Sequence, residues 1–214
     1  MSIAIAAPPK LMTAEEFFEF VHRPENESRW LELVRGEVIE LSRPTIPHGV
    51  VCGNAGFLLL SFARARRKGF VAVNDTGVIL ERDPDTVRGP DVAYFEGIKS
   101  FAELPRKWAE FPPRLAVEVL SPNDRADQVN RKILDYLRNG VEMVWLIDPE
   151  AHTVTVYTAR NGPRSFSEGE ELTGEHVLPG FRCKVADFFF VPEQEAEPKP
   201  KAKQARQRKK NRDR

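Results

Sequence analysis

Hydrophobic and polar positions change period several times between residues 11 and 190, and each change predicts an element. Thr13-Ala-Glu-Glu16 has the form of a capping box, with Thr13 as cap and Glu16 reaching back, and opens a short helix through "EEFFEFV" that Pro24 closes. Two alternating runs around Arg35-Gly36, in "WLELVRGEVIELS", predict a β-hairpin. "PHGVVCGNAGFLLLSFARARRKG" predicts a longer helix with Pro47 at its start and Gly69 at its stop. Val50, Phe57, Leu58, Ser61, Phe62 and Ala65 are expected to line one side of it. Strands are expected at "FVAV", "GVILE" and "PDVAYF", with "RDPDTVRG" as a turn-rich link. Residues 96–113, which contain Pro105, Pro112 and Pro113, read as a loop with room for one helical turn.

The run "RLAVEVLSPND", residues 114–124, differs from its neighbours. Leu115, Ala116, Val117, Val119 and Leu120 predict a strand buried on both faces, yet Glu118 sits in its middle. An ionised carboxylate is costly to bury without a partner. A helix is expected from about Asp124 to Asn139, stopped by Gly140. "EMVWLID" and "TVTVYT" then predict a hairpin across "PEAH", and "HVLPGFRCKVADFF" a final strand and short helix. Hairpins mixed with a strand–helix–strand passage predict an α/β fold, a mixed central sheet flanked by helices with hairpin additions.

The 214 residues suffice for one such domain, expected over 11–192, with a flexible N-terminus at 1–10 and a disordered basic tail at 193–214. No apolar run is expected to approach the roughly 20 residues of a membrane helix, and "MSIAIAAPPK" is a poor signal peptide, so no membrane partner is expected. Cys52 and Cys183 suit two free thiols in a reducing cytoplasm. His22, His48, His152 and His176 show no zinc-ligand spacing with them. The formal net charge of zero hides an asymmetry: Pro198–Arg214 carries nine Lys/Arg against one Asp, leaving 23 basic and 31 acidic residues before it. Such a tail could neutralise nucleic-acid phosphates or merely solubilise the chain, and both readings stand.

The carboxylate at 118 has neighbours in sequence that suggest a use. Asp91 follows Pro90 at the very start of a strand, where a side chain can project from a sheet end. In the helix after Glu118, at 100° per residue from Val129, Ile133 falls at about 40°, Leu137 at about 80° and Tyr136 at about 340°. Lys132 falls at about 300° on the flank of that inward face, while Arg131, at about 200°, points to solvent. Two carboxylates with phosphate oxygens and water make a magnesium site, the ion acidifies a water and polarises a phosphoryl oxygen, and an ammonium can stabilise the charge that builds. Each residue alone has a plainer reading: Asp91 as a turn residue, Glu118 as half of an ion pair, Lys132 as a surface lysine lying along the helix.

"GPDVAYF", followed by "LAVEVLSPNDRADQVNRKILDYLRNGVEMVWLIDPEAHTVTVY", resembles the Uma-two family of restriction-endonuclease-like proteins, within the PD-(D/E)xK nuclease superfamily. The resemblance extends to "LELVRGEVIELSRPTIPH" and "LPGFRCKVADFF", and so over most of residues 11–190. It implies a Mg²⁺- or Mn²⁺-dependent DNA endonuclease, with RNA not excluded. Asp91 and Glu118 would hold the metal, the Val119 backbone carbonyl would complete its protein ligands, and Lys132 would assist catalysis. The superfamily lysine normally lies two residues after the acid, where this chain has Leu120; Lys132 would replace it from the following helix. Glu32 and His48 match upstream family positions, Glu32 for a second cation or a metal-bound water and His48 for phosphate contact or proton transfer. Asp127 is expected to face the helix dipole or orient Lys132.

Arg64, Arg66, Arg67 and Lys68 are expected to supply nucleic-acid contacts to an otherwise acidic chain, and a homodimer would allow both strands of a duplex to be cut. Two other readings compete: a non-catalytic nucleic-acid-binding or regulatory protein on the same fold, and an interaction domain in which the carboxylates form only structural ion pairs.

Overall fold

The computed structural model describes residues 11–192; the expectations for 1–10 and 193–214 lie outside them. Helix α1 (Ala14–Val21) opens on the capping box, Thr13 accepting from the Glu16 amide and Glu16 from the Thr13 amide. Strands β1 (Leu31–Val34) and β2 (Glu37–Glu40) form the expected hairpin. Arg35 and Gly36 both take positive φ, 51° and 78°, which a two-residue turn between twisted strands requires.

Helix α2 (Ile46–Arg66) is capped by Thr45, with Pro47 in its first turn, and runs into β3 (Phe70–Val73). Its buried side is Val51, Ala55, Leu59 and Ala63, with Leu58 and Phe62 half-buried beside them, whereas Phe57 is 69% exposed. The expected face was therefore rotated. Apolar residues surround this helix, so periodicity cannot choose a side; the choice falls to small Ala and branched Val and Leu that let the backbone approach the sheet. Arg67, at φ 50°, ends the helix two residues before Gly69. Contrary to the expectation from apolar run length, α2 is long and apolar enough to cross a membrane. Here it packs against β3, β6 and β7 as a core helix.

Strands β4 (Val78–Glu81) and β5 (Thr86–Arg88) join the first hairpin in a four-stranded sheet of order β2-β1-β5-β4. The turn-rich "RDPDTVRG" thus contains a strand, and a second sheet, both unexpected. Next come β6 (Val92–Phe95), a single 3₁₀ turn at Phe101–Glu103, β7 (Leu115–Val119), α3 (Ala126–Arg138), β8 (Met143–Asp148) and β9 (Thr153–Thr158). Two short strands missed by pattern, β10 (Arg164–Ser167) and β11 (Glu171–Thr173), precede β12 (Arg182–Lys184) and a closing 3₁₀ turn at Val185–Phe188.

The main sheet is mixed, with order β10-β9-β8-β7-β6-β3; β7 and β8 are parallel across α3, and the other pairs are antiparallel. Alternation along β7 divides its side chains. Leu115, Val117 and Val119 join the α2 side of the core with Tyr94, Met143, Trp145 and Ile147. Ala116 packs on the other face beneath Ile133 and Tyr136 of α3. Glu118 shares that second face, so α3 decides its environment.

Candidate active site

Antiparallel pairing of Val92 with Val117 brings the residue before β6 alongside the end of β7. Asp91 is that residue, and its Oδ2 accepts the Val119 amide at 2.7 Å. In an extended strand the N–H and C=O of one residue face the same neighbour, so the Val119 carbonyl also belongs to the Asp91 side. Asp91 Oδ1 lies 3.3 Å from His48 Nε2, in the first turn of α2. Burial works against a charge on His48, but Asp91 outweighs it and raises the imidazole pKa.

Glu118 is 9% exposed and has two protein partners. Tyr136 donates its hydroxyl to Oε1 at 2.7 Å, and Lys132 Nζ lies 2.8 Å from Oε2. Burial, with Asp91 and Glu32 nearby, pushes the Glu118 carboxyl up to about 8 in spite of Lys132. Lys132 also lies 3.0 Å from Glu32 Oε1 and donates to the Gly89 carbonyl at 3.1 Å, so all three of its N–H donors are engaged. Burial alone would lower its pKa; Glu118, Glu32 and Asp91 reverse that and keep it charged.

Behind this centre lies a compensated ion network. Glu32, in β1, accepts from the Arg88 guanidinium at 2.8 Å and from the Gly89 amide at 3.0 Å. Arg88 in turn reaches Asp135 of α3 at 2.6 Å. Burial opposes ionisation of Glu32, but Lys132 and Arg88 hold its carboxyl below the ordinary range.

Asp91, Glu118, Lys132, Glu32 and His48 thus converge from the entry to β6 and from β7, α3, β1 and α2. Asp127 does lie in the first turn of α3 but pairs with Arg125 and Arg131, at 3.1 and 2.6 Å, and does not orient Lys132. Arg64, Arg66, Arg67 and Lys68 fall at the other end of α2, about 24 Å or more from His48 along the helix axis. There Arg66 donates to the Pro179 carbonyl and Lys68 pairs with Glu96. The expected helix from Pro47 to Gly69 already carried His48 and these basic residues at opposite ends; what the structure adds is that the cleft lies at the His48 end.

Sequence reading missed two participants. Arg88 looked like part of a turn. Asp75, between β3 and β4, has no hydrogen-bonding partner for its carboxylate among the described residues, lines the same cleft, and is pushed up to about 6 by burial and by Asp91. No local pattern marks Asp75; only its place in the cleft does.

The cleft, of about 630 Å³, lies between the β1–β2 hairpin and α3 with Asp75, Asp91, Glu118 and Lys132 at its floor. Oxygen donors dominate the floor, a set suited to a hard divalent cation such as Mg²⁺ or Mn²⁺. Burial first, and the neighbouring carboxylates after it, raise Glu118 and Asp75, and a cation bound among them would offset both. His48, Cys52 and Asp91 also lie close enough together to bind a metal jointly. However, His48 directs Nδ1 toward Cys52 Sγ (3.4 Å) and Nε2 toward Asp91, so one ion held by all three would require the ring to turn. Burial raises the Cys52 thiol well beyond its ordinary pKa, which disfavours the thiolate a metal needs.

A protein-family model, Uma2, described as "Putative restriction endonuclease", matches residues 14–186. Among solved structures, the chain is similar to a protein from Anabaena variabilis described as a putative nuclease, with a TM-score of 0.68 and 23% sequence identity over 83% of this chain and 97% of that one. At that identity the likeness establishes the fold. No curated protein matches the chain significantly.

Proposed function

The chain belongs to the Uma2 family of restriction-endonuclease-like proteins, and from that premise we propose that it is a Mg²⁺- or Mn²⁺-dependent endonuclease that hydrolyses DNA phosphodiester bonds. The observation that carries this reading is the juxtaposition of Asp91, docked on the Val119 amide, with Glu118 and Lys132 in one cleft. Asp91, Glu118 and the Val119 carbonyl would hold the ion. When bound, the ion would acidify a water and polarise a phosphoryl oxygen. With Glu118 engaged as a ligand, the Lys132 N–H that now lies against it would be available to the attacking water or the phosphate. Glu32 and the Gly89 carbonyl keep the ammonium in place meanwhile. His48, hydrogen-bonded to Asp91, fixes the orientation of that ligand. Free Cys52 and Cys183 support a reducing, cytoplasmic setting.

The test is cleavage of single-stranded, duplex and branched DNA and of RNA with Mg²⁺, Mn²⁺ or EDTA, beside Asp91→Asn and Glu118→Gln proteins with intact melting transitions. Metal-dependent cleavage lost in both variants, with Mn²⁺ raising the melting temperature of the parent alone, is the expected result. Cleavage in EDTA, or no cleavage and no metal-induced shift, would sink it.

A second reading is a non-catalytic nucleic-acid-binding protein. It is favoured by one observation: both Glu118 oxygens and all three Lys132 donors already have protein partners. Nucleic-acid binding without metal that survives Asp91→Ala would select it.

A further inference from the structure

The three tryptophans are of two kinds. Trp108 donates its indole N–H to the Ala14 carbonyl and packs against Phe17 and Phe18. Trp145 is fully buried, donates to Met143 sulfur and packs against Phe181 and Phe188. Trp30 does neither. Among the described residues it joins no apolar cluster, meets no other ring and has no partner for its indole N–H, yet it is half-buried in the wall of the active-site cleft.

Strand alternation explains its place. Leu31 and Leu33 point into the core under α1, so Trp30, Glu32 and Val34 point the opposite way, into the cleft. The pairing of Glu32 with Ile39 sets Ile39 and Leu41 on the same side, also half-buried and also outside every apolar cluster. The result is an apolar shelf with an unused ring. Folding does not account for it, because these side chains forgo the apolar packing that Leu31 and Leu33 obtain beneath α1.

The shelf adjoins the chemistry. Trp30 is two residues from Glu32, roughly 7 Å along the strand, the span of one extended or two stacked nucleotides. Glu32 touches Lys132, which touches Glu118. Arg35 and Arg138, both exposed and with no side-chain partner among the described residues, stand at the edges of the same cleft. A ring beside the reacting phosphate with guanidiniums around it is how proteins hold unpaired strands.

We propose that Trp30, backed by Ile39 and Leu41, is a stacking platform for an unpaired nucleobase next to the phosphate held at Asp91 and Glu118, so that the substrate is a single-stranded or locally unpaired nucleic acid. This inference rests on the nuclease reading of the site. A cleft of about 630 Å³ surrounds a few nucleotide-sized groups rather than a duplex. Its lining carries eight carboxylates against six Arg/Lys side chains, so the strand binds with divalent cations and not without them.

The experiment is tryptophan fluorescence of the full chain titrated with a 12-nucleotide oligo(dT), and with a blunt duplex of the same length, in Ca²⁺ or in EDTA. The oligonucleotide in Ca²⁺ should quench emission, and the duplex should not. Trp30→Ala should abolish the quench and weaken binding by roughly 5- to 150-fold, Trp30→Phe should recover part of the affinity, and both should melt near the parent temperature. Unchanged affinity in Trp30→Ala, equal quenching by the duplex, or no binding by either nucleic acid overturns the proposal. Quenching by a strand that is never cleaved in Mg²⁺ or Mn²⁺ would leave the platform standing and remove the nuclease reading. Duplex cleavage by Trp30→Ala at the parent rate would do the reverse.

Discussion

Glu32 and Glu118 share one lysine and differ in almost everything else. Both are buried, and Lys132 sits 3.0 Å from one and 2.8 Å from the other. Glu32 has Arg88 and a backbone amide besides, and its carboxyl is held below the ordinary range. Glu118 adds only the Tyr136 hydroxyl, faces Asp91, and is pushed up to about 8. One side of Lys132 is a closed ion network in which each charge has its counter-charge. The other side is an open one, where Lys132 is the one cation paired with Glu118 among the described residues and Asp91 stands close by. Equal burial therefore does not mean equal role: compensation separates the carboxylate that holds hairpin, β5 and α3 together from the one proposed as a metal ligand.

The comparison is broken most forcefully at Arg88. Arg88→Met leaves Asp135 without its cation and Glu32 with Lys132 alone, and removal of one member of a buried pair costs about 3–5 kcal/mol; chemical denaturation should register a loss of that size. On the open side the expectation reverses. Glu118→Gln and Asp91→Asn should lower cleavage by about two orders of magnitude or more, while metal-free stability changes little or rises, because mutual repulsion is relieved. A large stability loss in Glu118→Gln would make both sides structural.

The pH dependence of melting in EDTA sharpens the same contrast. Glu118 binds its proton more tightly when folded, at about 8 against an ordinary 4.5, and Asp75 at about 6 against 3.8. Their stabilising contribution is complete below the ordinary values and is lost as pH rises through the raised ones. Glu32 has the opposite sign: its contribution is present above 4.5 and is lost as pH falls through its lowered value. The melting temperature should decline between about pH 4.5 and 8, and Glu118→Gln should flatten the upper part of that decline. The smallest effect belongs to the far end of α2, where Arg64→Gln should alter stability by less than about 0.5 kcal/mol and leave cleavage unchanged in the same assays.

Local signals were legible where local physics decides. The Thr13–Glu16 box, the Arg35-Gly36 turn and the α3 flank that delivers Lys132 depend on neighbours a few residues away, and each was read correctly. The buried face of α2 was misread because its apolar residues point in every direction. β5 was hidden in a Pro/Asp-rich stretch, since a three-residue strand held by partners on both sides needs no propensity of its own.

The sequence by itself determined that Glu118 would be buried in a strand apolar on both faces, and that Asp91 would stand at a strand start, because alternation and Pro90 act within one segment. Only the tertiary structure decided which carboxylate is compensated. That depends on Arg88 arriving from β5, Lys132 from α3 and Asp75 from the β3–β4 connection, and charges act through space without regard to their separation along the chain.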